Sequence, residues 1–188
     1  MPTKEYWMDR WRVEGPKATE LHGADLEAQQ GIDRERESFI FSKIPLDRKT
    51  YDFGCGFGKW ARKFPRYCGM DWNEAALEEA RKRNPEKDFK LPEEIFDSPI
   101  LFFTANVLQH NYDREVLRIL SLVKSHSPNF AFYEIEKVQL PHVFGRSTED
   151  YENLLVRAGF QVDFSTSYSH VVHMQLHTLS IMCCGGEG

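Results

Sequence analysis

The chain has 188 residues, 41% of them hydrophobic and 28% charged, the composition of one ordinary globular domain. Its net charge of −5 and pI near 5.8 argue against a nucleic-acid binder, although 24 Lys and Arg leave room for a local basic patch. No apolar run reaches the ~20 residues of a membrane helix, and the opening stretch MPTKEYWMDRWRVEG lacks a secretory apolar segment, so a cytoplasmic location without membrane contact is expected.

Residues 1–22 carry Tyr6, Trp7, Arg10, Trp11 and Arg12 without a clean period, and form a segment distinct from a single domain over 23–188. A helix is expected over 24–44, with Phe39, Ile40 and Ile44 on one side and Pro45 and Asp47 ending it. A short strand over 49–53 leads into a glycine turn, and a helix over 59–64 is expected to run on until Pro65. Residues 66–71 read as a second strand. Asn73 is a suitable N-cap for the next helix, which has acids early, bases late and a stop at Asn84-Pro85. KDFKL is a short third strand, and the apolar run over 99–105 is a buried parallel strand.

Val116, Leu117, Ile119, Leu120 and Val123 have helical spacing over 113–126. A fifth strand follows over 129–136. Ser147 and Asp150 occupy capping-box positions before a helix that Gly159 stops. Two final strands are expected over 160–168 and 174–182. Alternating strands and helices predict an α/β fold, a mostly parallel sheet with helices on both faces and right-handed crossovers. The four cysteines, Cys55, Cys68, Cys183 and Cys184, form no CxxC pair and no zinc spacing with histidine, so no metal is expected.

The stretch YDFGCGFGK holds the densest chemical signal. Gly54, Gly56 and Gly58 stand at alternate positions behind Asp52. A dinucleotide turn, G-x-G-x-x-G, needs glycine where Lys59 stands, and a P-loop needs glycine at 59 and lysine at 60. Both phosphate readings are weakened. A ligand without phosphates remains.

YDFGCGFG resembles motif I of the class I S-adenosylmethionine-dependent methyltransferases, with an acid and then alternate glycines after the first strand. The resemblance implies S-adenosylmethionine as cofactor. It also implies a Rossmann-like, seven-stranded sheet whose last strand inserts antiparallel. Gly54, Cys55 and Gly56 would form the floor under the cofactor, and Asp52 would lie near its amino group and sulfonium. Asp71, at the end of the second strand, would accept the ribose hydroxyls. That acid is shared with NAD-binding folds, and its alternative work is capping the next helix. Trp72 would cover the adenine, or else belong to the core. FFTANVLQHNYD resembles the segment after strand four, placing Asn106 against the cofactor and Leu108-Gln109-His110 at the start of a helix. FGRSTEDYENLLVRAGFQV resembles the region before the last strands, so the likeness runs from about residue 30 to 182. The adenine contact after strand three aligns to no single residue. Leu91 to Glu94 are its candidates.

The function implied is methyl transfer to an O or N of a small-molecule acceptor. A hydroxyl acceptor benefits from a general base, for which His110 is the first candidate and Glu134 the second. Tyr133 and His142 are read as shaping the pocket, together with the 137–147 segment. Trp7 and Trp11 resemble a lid over the cofactor, with Arg10 or Arg12 near a carboxylate. Their alternative is a helix packed by its aromatic face. Three other functions stand beside this one. An RNA or protein methyltransferase lacks support, since TANV replaces an Asn-Pro-Pro-Tyr-like motif. The others are a non-catalytic cofactor-binding subunit and, more weakly, an NAD-dependent oxidoreductase. The acceptor and the oligomeric state are not legible.

Overall fold

The computed structural model describes residues 4–15, 37–39, 41–94, 101–127, 129–135, 143–172 and 175–185. Its centre is a seven-stranded sheet. Strands β1 (Thr50–Phe53), β2 (Tyr67–Met70), β3 (Asp88–Lys90), β4 (Leu101–Ala105) and β5 (Phe130–Ile135) run parallel. Strands β6 (Gln161–Val172) and β7 (Gln175–Gly185) close the order β3-β2-β1-β4-β5-β7-β6. β7 lies antiparallel between β5 and β6, as the resemblance implied. The chain winds outward from β1 to β3, then returns to place β4 on the other side of β1. This reversal creates a crevice at the carboxyl ends of β1 and β4, where open α/β sheets bind ligands.

Four helices complete the described fold: α1 (Lys4–Glu14), α2 (Glu74–Arg83), α3 (Asp113–His126) and α4 (Thr148–Arg157). Alternation along the strands divides the core in two. Tyr51, Phe53, Phe102, Phe130 and Phe132 face Val116, Leu120 and Val123 of α3 and Tyr151, Leu154 and Leu155 of α4. Tyr67, Phe103 and Tyr133 face the other way, toward Trp60, Phe64 and Leu77 and Ala80 of α2. Helices therefore cover both faces. Phe103 and Phe132 are wholly buried, and truncating either ring to alanine costs about 3–5 kcal/mol.

The capping box of α4 forms in both directions. The Asp150 N–H donates to Ser147 Oγ, and the Ser147 N–H donates to Asp150 Oδ2. α2 begins differently. Asn73 occupies the N-cap position without a side-chain cap bond, and its own N–H donates to Asp71 Oδ1 at 2.9 Å.

Three expectations change. Residues 59–64 form no α-helix, only a 3₁₀ turn over Ala61–Lys63. Six residues between the glycine turn and Pro65 are too few to repay helix nucleation. The last two strands are longer than expected, spanning Gln161–Val172 and Gln175–Gly185. No glycine or proline interrupts them there, so the ladder continues past Tyr168. The helix expected over 24–44 lies mostly outside the described residues, of which 37–39 and Phe41 are helical. No helix among the described residues is long and apolar enough to cross a membrane.

Candidate functional site

The turn after β1 is held by its own amides. The N–H groups of Gly54 and Cys55 both donate to Met70 O, at 2.8 and 3.0 Å. The Gly56 N–H donates to Asp71 Oδ2 at 3.0 Å, and the Gly58 N–H to Cys55 O at 2.9 Å. Gly54, Gly56 and Gly58 adopt φ of 74°, 55° and 75°, the left-handed region that disfavours a side chain. Gly54 has a second constraint, since a Cβ there would stand 2.5 Å from Val107 Cγ2. Its bareness lets the turns after β1 and β4 meet at the crevice.

Asp71 ties two turns together. Its carboxylate accepts from Gly56 in one turn and Asn73 in the next, and two N–H bonds leave lone pairs for further donors. Burial pushes its carboxyl above the ordinary range, against the pull of the Asn73, Gly56 and Trp72 amides. Asp71 thus accepts from Asn73, the N-cap residue of α2, and keeps acceptor capacity at the strand end. Trp72 is 41% exposed and meets Phe53 edge-on at 6.1 Å, so it is not a core residue.

Asp52 and Cys55 lie deeper. Asp52 is 1% exposed and accepts the Tyr67 hydroxyl at 2.7 Å. Burial raises its carboxyl to about 7, the Tyr67 bond lowers it and the Asp71 charge raises it. Cys55 is buried, and its thiol is pushed up by burial and by Asp71 and Asp52. An uncharged thiol of this kind is packing rather than a nucleophile.

The segment after β4 is built by residues far away in sequence. Asn106 takes φ 57°, and its buried Oδ1 has no hydrogen-bond partner among the described residues. A 3₁₀ turn over Leu108–His110 follows. Glu134, wholly buried at the end of β5, accepts the N–H groups of Val107, Leu108 and Gln109 at 3.0, 2.8 and 3.2 Å. Burial raises its carboxyl to about 7, opposed first by the Leu108, Val107 and Gln109 amides and then by the Arg146 charge. Both oxygens of Glu134, the second candidate base, are engaged by the turn that carries His110.

Arg146 holds the same turn from outside. It is 5% exposed and donates to Leu108 O, Asn111 O and Asp113 Oδ1. Sequence reasoning missed it, as it missed Tyr67 and Val107. The adjacent capping box marks only the start of α4. Tyr112, Phe144, Arg146 and Arg157 line an open cleft of about 740 Å³ beside this turn.

α1 joins the two sides of the crevice. Trp11 is buried against Ala76 at the start of α2 and Phe57 of the glycine turn. Trp7 meets the His110 ring at 4.7 Å with planes 65° apart. Within α1, Arg10 pairs with Glu14 and Arg12 with Asp9. His142 and most of the 137–147 segment lie outside the described residues.

No family model and no curated protein sequence matches the chain. Solved structures do. The DhpI–SAH complex aligns with a TM-score of 0.69 over 97% of this chain and 94% of that one, at 14% identity. Magnesium protoporphyrin IX methyltransferase (ChlM) from Synechocystis PCC 6803 with bound SAH gives 0.68 over 95% and 94%, at 15% identity. PH0226 protein from Pyrococcus horikoshii OT3 gives 0.68 over 98% and 100%, at 15% identity. The chain therefore has the class I methyltransferase fold over nearly its whole length.

Proposed function

We propose that this protein binds S-adenosylmethionine and transfers its methyl group to an O or N of a small-molecule acceptor. One observation carries the cofactor reading. Four amides of the glycine turn are engaged internally, one of them by a carboxylate, and no α-helix N-terminus follows the turn. A pyrophosphate needs free amides and a helix dipole, and would meet Asp71 instead. A nucleoside carrying a cationic amino-acid arm suits the same corner.

The residues present fit that group. Asp71 would accept the ribose hydroxyls, and exposed Trp72 would face the base. Gly54 and Gly56 would provide flat backbone below. The orphaned Oδ1 of Asn106 would accept a donor such as the cofactor's ammonium group, since a buried unpaired acceptor is costly. Trp7 and Trp11 would carry α1 across the bound ligand as a strap.

The cofactor, when bound, supplies a methyl group already activated by a sulfonium. What remains for the protein is orientation and exclusion of water. His110, held by the Glu134 and Arg146 bonds to its turn, would take the proton of a hydroxyl acceptor at an imidazole nitrogen. The test is transfer of a labelled methyl group to a panel of small hydroxyl and amine acceptors. Turnover with any of them supports the reading. Tight S-adenosylhomocysteine binding with no turnover across the panel would indicate a non-catalytic subunit.

A further inference from the structure

Gln109 is a polar side chain only 4% exposed, and its main chain is held on both sides. Its N–H donates to Glu134 Oε2 at 3.2 Å, and its carbonyl accepts the Phe144 N–H at 2.7 Å. From this clamped position its side-chain Nε2 stands 3.3 Å from Nε2 of the His110 ring. Adjacent residues of a 3₁₀ turn point about 120° apart, so the backbone alone does not bring these two side chains together. Trp7 meets the same ring at 4.7 Å, so the imidazole is oriented by its own turn and by α1. A side-chain amide nitrogen donates and does not accept. The ring nitrogen facing it therefore presents a lone pair, which places the proton of the neutral imidazole on Nδ1. An unrestrained imidazole favours the opposite form, with the proton on Nε2. Which form is held is set by the hydrogen bonds made to the ring.

We propose that Gln109 is a positioning residue for His110: its side-chain amide fixes the Nδ1–H tautomer and makes Nε2 the nitrogen that receives a proton. The chemical use of that tautomer rests on the reading of His110 as the general base. A hydroxyl acceptor would replace the Gln109 amide at Nε2. Nε2 would take the hydroxyl proton as the oxygen bonds to the methyl carbon. Nδ1 keeps its own proton, and the electron pair of the broken carbon–sulfur bond remains on sulfur. Glutamine suits this position because one amide serves both states of the ring. Its NH₂ donates to the lone pair, and its Oε1, once turned, accepts from the protonated nitrogen. A carboxylate offers acceptors only, and an aliphatic side chain offers neither.

Proton–nitrogen correlation NMR of the full chain, with histidine ring nitrogens labelled and the pH set where the rings are neutral, reads the tautomer directly. Wild type is expected to show His110 protonated at Nδ1 and unprotonated at Nε2. Gln109→Leu removes the donor and is expected to shift His110 to the Nε2–H form. Gln109→Glu keeps the length of the side chain but only accepts, and is expected to do the same. A wild-type His110 with its proton on Nε2 overturns the proposal, as does an Nδ1–H form that either variant retains. The wild-type result needs no variant to fold. The tautomer is read without cofactor or acceptor, so its outcome is independent of the methyl-transfer assay that tests the function.

Discussion

Gly56 and Asp71 are joined by an amide-to-carboxylate hydrogen bond of 3.0 Å that links the turn after β1 to the turn after β2. The same carboxylate accepts from Asn73 at 2.9 Å, so one side chain sets the shape of the whole corner. Asp71→Asn removes the charge and turns one acceptor into a donor facing an amide. A hydrogen bond to a charged group is worth about 1.5–3 kcal/mol. Calorimetry is expected to show S-adenosylhomocysteine bound roughly 10–100-fold more weakly, in a protein that still folds. Affinity equal to wild type would remove Asp71 from the site.

Glu134 and Arg146 both hydrogen-bond the backbone of the segment carrying His110. Glu134→Ala leaves three amide donors without their acceptor, each worth about 1–3 kcal/mol when buried and unpaired. Urea unfolding is expected to show a loss of about 3 kcal/mol or more. Glu134→Gln, which keeps one oxygen, is expected to lose less. Arg146→Lys is expected to resemble a deletion, because one ammonium cannot span two carbonyls and a carboxylate as the guanidinium fork does.

The pH dependence of stability has a definite sign. Asp52 and Glu134 both sit near 7 in the fold, above their ordinary values of 3.8 and 4.5. Between those values the native state holds more protons than the unfolded chain, so stability falls as pH rises. The contribution is fully present in acid and is lost as pH passes through about 7. Thermal melts are expected to show a Tm that declines over this window. Asp52→Asn, uncharged throughout, is expected to flatten the decline. A Tm rising through the window in wild type would contradict the buried state of these carboxyls.

Trp7 packs edge-on against His110. An imidazole against an indole alters its emission, so intrinsic fluorescence reports on this contact without an acceptor. His110→Gln is expected to change the emission spectrum of the wild type and to leave that of Trp7→Phe unchanged. An equal change in both backgrounds would mean that α1 does not lie on the His110 turn in solution.

The strands that position the site were legible because parallel strands buried on both faces are nearly continuous apolar runs, as in LFFTA and FAFYEI. Residues 59–64 were not, because helical composition says nothing of whether six residues suffice. The glycines signal a close approach, and at Gly54 the approaching group is the Val107 side chain, which no pattern around the turn marks. Glu134 and Arg146 were hidden for another reason. Their partners are backbone groups distant in sequence, and a backbone amide leaves no mark on residue identity. Trp72 had two readings, and only its exposure excludes the core one.

The central claim is that this glycine turn receives a nucleoside without phosphates. Isothermal titration of the full chain with S-adenosylhomocysteine and, separately, with NAD tests it most directly. The account predicts saturable binding of S-adenosylhomocysteine at one site per chain and no heat of binding with NAD. Binding of NAD without binding of S-adenosylhomocysteine would contradict it.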